Sequence, residues 1–322
     1  MTSGTLSDKI SALTLVVQES PLHTMKAFEN LLSLAKKRSR GQAVTALGAL
    51  KDLLGQGVVL PVDRKLRAFN AQPALQSALA HPKAAHWKKG EQLPGSIEDV
   101  HLIVWAYEDW LKTNYFDLIR ILESWCNDEV EFARGRALQY TWELLREKPE
   151  QEANLMRLLV NKLGDPDKKI ASKASYLLLQ LQTTHPLMKS IIISSIESEL
   201  LFRPGQSPHA RYYAVITLNQ TVLSEKEEDV ARKLLDVFFS LFVALMKRPA
   251  KDVKLDELPV AKINRQGLVQ GGGGKPGKKA QRKAELELTS KKSEEELNEK
   301  LISAVLTGVN RAFPYAKIDD TT

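Results

Sequence analysis

The chain has 322 residues, 43% of them apolar and 26% charged, a formal net charge of +7 and one cysteine, Cys126. A lone cysteine excludes an intramolecular disulfide and a cysteine-rich zinc site, and no apolar run reaches the ~18 residues that a membrane-spanning helix needs. Asp8 falls inside the first apolar periodicity, and no basic start or small-residue cleavage pattern precedes it; a soluble protein of a reducing intracellular compartment is therefore expected.

Capping residues, Pro and Gly punctuate the chain. Ser7-Asp8 is placed to cap a helix running to about Glu19, and Ser20-Pro21 to restart one carrying Phe28, Leu31, Leu32 and Leu34. Val44, Leu47, Leu50, Leu53 and Leu54 form one stripe over residues 40–54, closed by Gly55 and Gly57. From about 55 to 95 the periodicity breaks up, with one short helix expected at 63–70, which marks a loop-rich insertion between repeats. Ser96 to Asp99 has the outline of a capping box and opens an aromatic helix through Trp105, Tyr107 and Trp110. Helices are then predicted at 115–126, 128–147, 150–163, 166–182 and 186–200, broken by Asn127-Asp128, Lys148-Pro149, Gly164-Asp165-Pro166 and His185-Pro186. A last pair is predicted at 208–223 and 225–247. Ser293-Glu-Glu-Glu296 then caps a final helix to about Leu306.

Two of these segments repeat one another. Setting Asp128 to Ala137 against Asp165 to Ala174 gives an offset of 37 residues, with Arg136 over Lys173 and Leu144 over Leu181. A looser copy places Ala214 40 residues beyond Ala174. A turn followed by an amphipathic helix at this period resembles the two-helix repeats of the HEAT or armadillo kind. The fold expected is all-α: a HEAT/armadillo-like solenoid over 1–248, a basic Gly-rich disordered linker over 249–292, and a C-terminal helix and tail over 293–322. Each stripe must be covered by its neighbour, because single helix pairs cannot bury their own apolar face.

Catalytic constellations were sought without success. Gly272 to Lys278 has the spacing of a phosphate-binding loop, but Lys279 stands where Ser or Thr would ligate magnesium, Pro276 removes an amide donor, and no apolar strand precedes it. The six histidines, at 23, 81, 86, 101, 185 and 209, lack metal-site spacing. Acidic clusters at 225–229 and 294–296 fall in first helical turns, where they complement the dipole. Trp105, Trp110, Trp125 and Trp142 lie in the most apolar periodicities and read as core. No enzyme and no cofactor is expected.

Candidate binding residues are instead basic. Lys36, Lys37, Arg38 and Arg40 form one run; Lys83, Trp87, Lys88 and Lys89 place an aromatic among lysines in the insertion; Lys275, Lys278, Lys279, Arg282 and Lys283 form a third group. Residues 249–283 hold nine Lys and Arg against three acids. Nucleic acid is the first anionic partner such charge suggests, with a solvated face or a nuclear address as the alternative for either run. Trp87 fits a partner contact or a docked loop equally.

Several strings together resemble the nucleolar CCAAT-binding-factor family: Thr5 to Thr14, Val17 to His23, Leu159 to Ser175, Leu201-Phe-Arg-Pro204, Tyr212-Tyr-Ala-Val215 and Leu306 to Tyr315. The resemblance implies a scaffold of the nucleus and nucleolus acting in early precursors of the large ribosomal subunit. It also implies pairing with nucleolar complex protein 2 and contact with pre-ribosomal RNA and other large-subunit assembly factors, with no small-molecule substrate and no membrane. Family members continue into further repeats beyond the Phe313-Pro314-Tyr315 region, so the chain is expected to be the first large module. The family's name suggests a rival, a sequence-specific DNA-binding transcription factor, but no helix is strongly basic on a groove-sized face. A peptide-groove carrier of the helical-repeat type is the third reading.

Overall fold

The computed structural model describes residues 5–57, 59–91, 94–95, 97–247 and 296–317, apart from the side chain of Lys83. Helices dominate the described residues, and no strand occurs among them. They divide into two compact units, one ending at Met188 and the other beginning at Lys189. The Gly-rich stretch and the basic group at 275–283 lie outside the described residues.

In the first unit, α1 (Leu6–Glu19) opens on a capping box made by Thr5 and Asp8, the Thr5 amide donating to Asp8 Oδ2 at 2.9 Å. Thr5 therefore caps where Ser7 was expected, with Asp8 reciprocating from one turn inside. Helix α2 (Met25–Ala35) starts four residues beyond Pro21, because residues 21–24 form a turn held by Thr24 Oγ1 donating to Ser20 O at 2.7 Å. Helix α3 (Arg40–Gly55) carries the expected stripe, with Leu47, Leu50, Leu53 and Leu54 buried.

The insertion departs from its reading. Residues 63–68 are not helical; the helix here is α4 (Pro73–Leu79), started by Pro73 at its first turn and flanked by 3-10 turns at Phe69–Ala71 and Pro82–His86. The extended stretch before α4 is tied down by buried carboxylates from elsewhere. Glu108 accepts from the Arg67 amide at 2.9 Å, from Gln72 Nε2 at 3.0 Å and from Arg64, while Glu150 accepts from the Leu66 amide. Burial alone raises the Glu108 carboxyl, but these donors together hold it below the usual range.

Helix α5 (Asp99–Cys126) is one 28-residue rod, where two helices separated before residue 115 were expected. Neither Gly nor Pro interrupts it, and Thr113 Oγ1 and Asn114 Nδ2 donate back within the helix to Asp109 O and Trp110 O at 3.1 and 2.9 Å. Its cap is Glu98, answered by His101, with Ser96 outside the described residues. Then come α6 (Glu131–Glu147), α7 (Glu152–Asn161) and α8 (Lys168–Thr184). Trp125 and Trp142 are buried as expected; Trp105 and Trp110 are half-buried, edge-on to Phe69 and Phe28.

The helices of this unit stand in two rows. Helix α3 packs on α1 and α6, and α6 packs on α8; on the other side α5 packs on α2 and α7. The offset of 37 holds at atomic level: Ala137, Ala174, Leu144 and Leu181 are all buried. Both Asp128 and Asp165 accept the amide two residues on, at 2.8 and 3.0 Å from Val130 and Asp167. These Asx turns explain why α6 and α8 begin three residues later than the aspartates, since the side chain competes for amides that a helix would use. Each aspartate also meets an arginine of the preceding helix in its row, Arg40 Nε to Asp128 at 3.0 Å and Arg134 Nε to Asp165 at 3.2 Å.

The second unit holds α9 (Lys189–Ile196), continued by a π turn at Glu197–Leu201, then α10 (Pro208–Asn219), α11 (Glu228–Met246) and α12 (296–312). Ser207 caps α10, accepting from the Ala210 amide at 3.1 Å with Pro208 at the first position. Helix α12 runs six residues beyond its expected end, and residues 293–295 of its expected cap lie outside the described residues. It packs on α10, where Asn219 Nδ2 donates to Ala304 O at 2.8 Å, and on α11, where Gly308 lies against Phe238; Arg232 Nε of α11 donates at 3.1 Å to Ala316 O, beyond the end of α12.

Candidate nucleic-acid interface

Two turns of the first unit meet where α2 hands over to α3 and α5 to α6. Trp125 near the end of α5 is buried, and its Nε1 donates at 3.0 Å to Ala35 O, the last helical carbonyl of α2. This fixes the two helix ends side by side and satisfies both polar groups. Arg40 at the start of α3 then crosses to Asp128 in the α5–α6 turn. Partial burial acts to raise the Asp128 carboxyl, but the Val130 amide and the Arg40 guanidinium outweigh it, so the group stays ionised below the usual carboxylate range.

Between these turns lies an open cleft of about 810 Å³ whose lining includes Lys36, Lys37, Arg38, Arg40 and Arg120 together with Asp117, Asp128 and Glu129. Five cations thus face three acids, and two of the acids are engaged: Asp128 by Arg40, and Asp117 by Lys36 at 3.8 Å. The second pair is exposed on both sides and contributes little. Lys37 and Arg38 are exposed and make no ion pair among the described residues. The cleft is therefore a basic concavity with unneutralised long side chains, suited to holding an anion by charge. No histidine and no cysteine lines it. Among the described residues no group of three or more His, Cys, Asp or Glu is placed to hold a metal.

All four residues of the first basic run thus come together at one site, although Arg40 is committed to Asp128. The insertion residues do not join them. Trp87 is 41% exposed, and its Nε1 donates to Glu91 O at 2.8 Å while the Lys88 amide donates to Glu91 Oε2 at 3.1 Å, so the indole is folded back on its own loop. Lys88 and Lys89 are exposed, Lys83 has only its backbone described, and Lys275, Lys278, Lys279, Arg282 and Lys283 lie outside the described residues. Arg120 and Asp117 were missed by sequence reasoning. Their place opposite Lys36 depends on α2 packing against α5, for which the sequence carries no local signal.

Among the described residues no helix is long and apolar enough to cross a membrane. No family model matches the chain. Its sequence is 53% identical to "Ribosome biogenesis protein NOC1" of Chaetomium thermophilum over its whole length, 35% to "CCAAT/enhancer-binding protein zeta" of Homo sapiens over 99% of it, and 32% to "Nucleolar complex protein 1" of Drosophila melanogaster over 77% of it. The chain is homologous to a portion of these proteins. It spans 30%, 25% and 20% of their respective lengths. The family resemblance carried by strings such as those at 5–14, 17–23, 159–175 and 306–315 is thereby shown, the match falling on a portion of those longer proteins.

Proposed function

We propose that the chain is a non-enzymatic scaffold segment acting in nucleolar biogenesis of the large ribosomal subunit, built of HEAT-like helix pairs, and that the α2–α3/α5–α6 cleft holds pre-ribosomal RNA through its phosphates. The names of the relatives point to the process. The observation that carries the binding mode is the cleft itself, where Lys37, Arg38 and Arg120 make no ion pair among the described residues and five cations outnumber three acids in the lining. Such contacts position a nucleic acid without reading its bases. Assembly factors, with nucleolar complex protein 2 as the paired subunit, are the protein partners in this reading.

Three phosphate contacts on a single strand give a log–log salt slope of about −2, so affinity falls roughly twentyfold between 50 and 200 mM salt through this site alone. Filter binding of a structured ribosomal RNA fragment tests it. The variant K37E/R38E/R120E is expected to bind more weakly and to flatten the slope by about 2, and parent-like binding overturns the assignment. Competition with duplex DNA at matched salt addresses the CCAAT-binding name of the human relative. Preferential displacement by duplex in a sequence-dependent way favours the transcription-factor reading instead.

A further inference from the structure

Phe116 stands one helical turn before Arg120 on α5 and is 44% exposed. It adds little to the core, which α5 serves through Tyr115, Leu118, Ile119 and Leu122, each no more than 4% exposed. The Arg120 guanidinium carbon lies 5.9 Å from its ring centroid. Phe116 does not itself line the cleft, but Arg120, the cation over its ring, lines it with Lys37 and Arg38, so the ring is joined to the basic concavity through a shared cation. An exposed ring interleaved with unpaired cations is the arrangement that grips a single strand, the cations following phosphates while the ring offers a π-face to an unstacked base. A duplex cannot use the ring, because its bases are already stacked on one another.

We propose that Phe116 is a base-stacking residue and that the cleft selects single-stranded RNA over the stem of a hairpin. The proposal rests on the phosphate-binding reading above and deepens it. A second exposed phenylalanine supplies a matched control: Phe132 is 60% exposed beneath Arg136 at 5.4 Å, but Arg136, unlike Arg120, does not line the cleft.

The test is fluorescence anisotropy on the full chain with a labelled 12-nucleotide single-stranded RNA and a perfectly paired RNA hairpin. Phe116→Ala is expected to weaken single-strand binding roughly tenfold, as loss of one stacked base does, with the salt slope and the hairpin affinity unchanged. Phe116→Trp restores binding and Phe116→Leu does not, which separates stacking from apolar contact. Phe132→Ala binds like the parent. Equal affinity of Phe116→Ala and parent for the single strand, parent-like binding by Phe116→Leu, or the same loss in Phe132→Ala overturns the stacking assignment and leaves phosphate binding standing. A parent that holds hairpin and single strand equally well overturns the selectivity. Failure of the phosphate reading is a different result, namely K37E/R38E/R120E binding both probes like the parent.

Discussion

Gly308 on α12 gives the sharpest stability prediction. A Cβ at this position would lie 2.4 Å from Asn219 Oδ1 and 2.5 and 2.6 Å from Cζ and Cε2 of Phe238. Neither neighbour yields cheaply. Asn219 is tethered to α12 by its 2.8 Å hydrogen bond to Ala304 O, and Phe238 is 1% exposed. Forcing a methyl group into such a contact costs about 1 to 3 kcal/mol, while replacing Gly in a helix interior returns about 1 kcal/mol of propensity. Three contacts of 2.4 to 2.6 Å place the cost in the upper half of that range, about 2 to 3 kcal/mol, so Gly308→Ala should weaken the docking of α12 by about 1 to 2 kcal/mol. Gly41 makes the control, since it sits in the first turn of α3 with nothing within 4 Å of its added Cβ. Gly41→Ala should stabilise by about 0.5 to 1 kcal/mol through the unfolded chain. Urea unfolding followed by circular dichroism reads the global change, and hydrogen exchange of amides in 300–312 reads whether α12 alone opens. Gly308→Ala with unchanged exchange protection and an unchanged or raised midpoint would refute the close-approach argument.

Two further outcomes follow from the first unit. Leu178 on α8 is fully buried, so Leu178→Asp combines a lost side chain, worth about 2 to 5 kcal/mol, with a buried carboxyl; a marked fall in melting temperature or insoluble expression is expected, and an unchanged melting temperature contradicts the register of the repeat. Glu108 has its carboxyl held low in the folded state, so its charge contributes stability above the unfolded value of about 4.3 and loses it as pH falls through the lower folded value. Glu108→Gln should be less stable than the parent at neutral pH and converge on it below pH ~4, and a urea-midpoint difference that stays constant with pH would show that the charge is not the cause.

The helix stripes and the repeat were legible because their signals are local. Asp165-Pro166 and Asn127-Asp128 announce turns by their own chemistry, and Ala137 and Ala174 fall in register through simple periodicity. The extended stretch before α4 was not legible, because its amides are satisfied by Glu108 and Glu150 from 36 to 84 residues away. Residues 63–70 offered a short apolar pattern, and only those distant carboxylates turned it into a strap. The continuity of α5 was missed for the opposite reason: the aromatic segment through Trp110 and the apolar stripe over 115–126 were read as two helices although no Gly or Pro separates them, and packing of the rod on α2, α6 and α7 carries it through. The string at 306–315 marked the family, but why it contains a glycine emerges only from Phe238 and Asn219.

The candidate site shows how little a run of like charges says about which charges are available. In sequence, Lys36 to Arg40 is one basic cluster. In the fold it separates by role: Arg40 joins the start of α3 to the α5–α6 turn, just as Arg134 joins α6 to the turn before α8, so both arginines belong to the packing of α3, α6 and α8 along one row. Reversing Arg40 would leave Asp128 facing a second carboxylate at the turn that fixes α6, and any loss of binding would report a disturbed scaffold. Lys37 and Arg38 carry no such duty, and Arg120 reaches the same cleft from α5. A ligand that depends on Lys37, Arg38 and Arg120 while tolerating conservative change at Arg40 is therefore reading the surface that the packed helices create, and this is the behaviour that separates a binding cleft from the ion pairs beneath it.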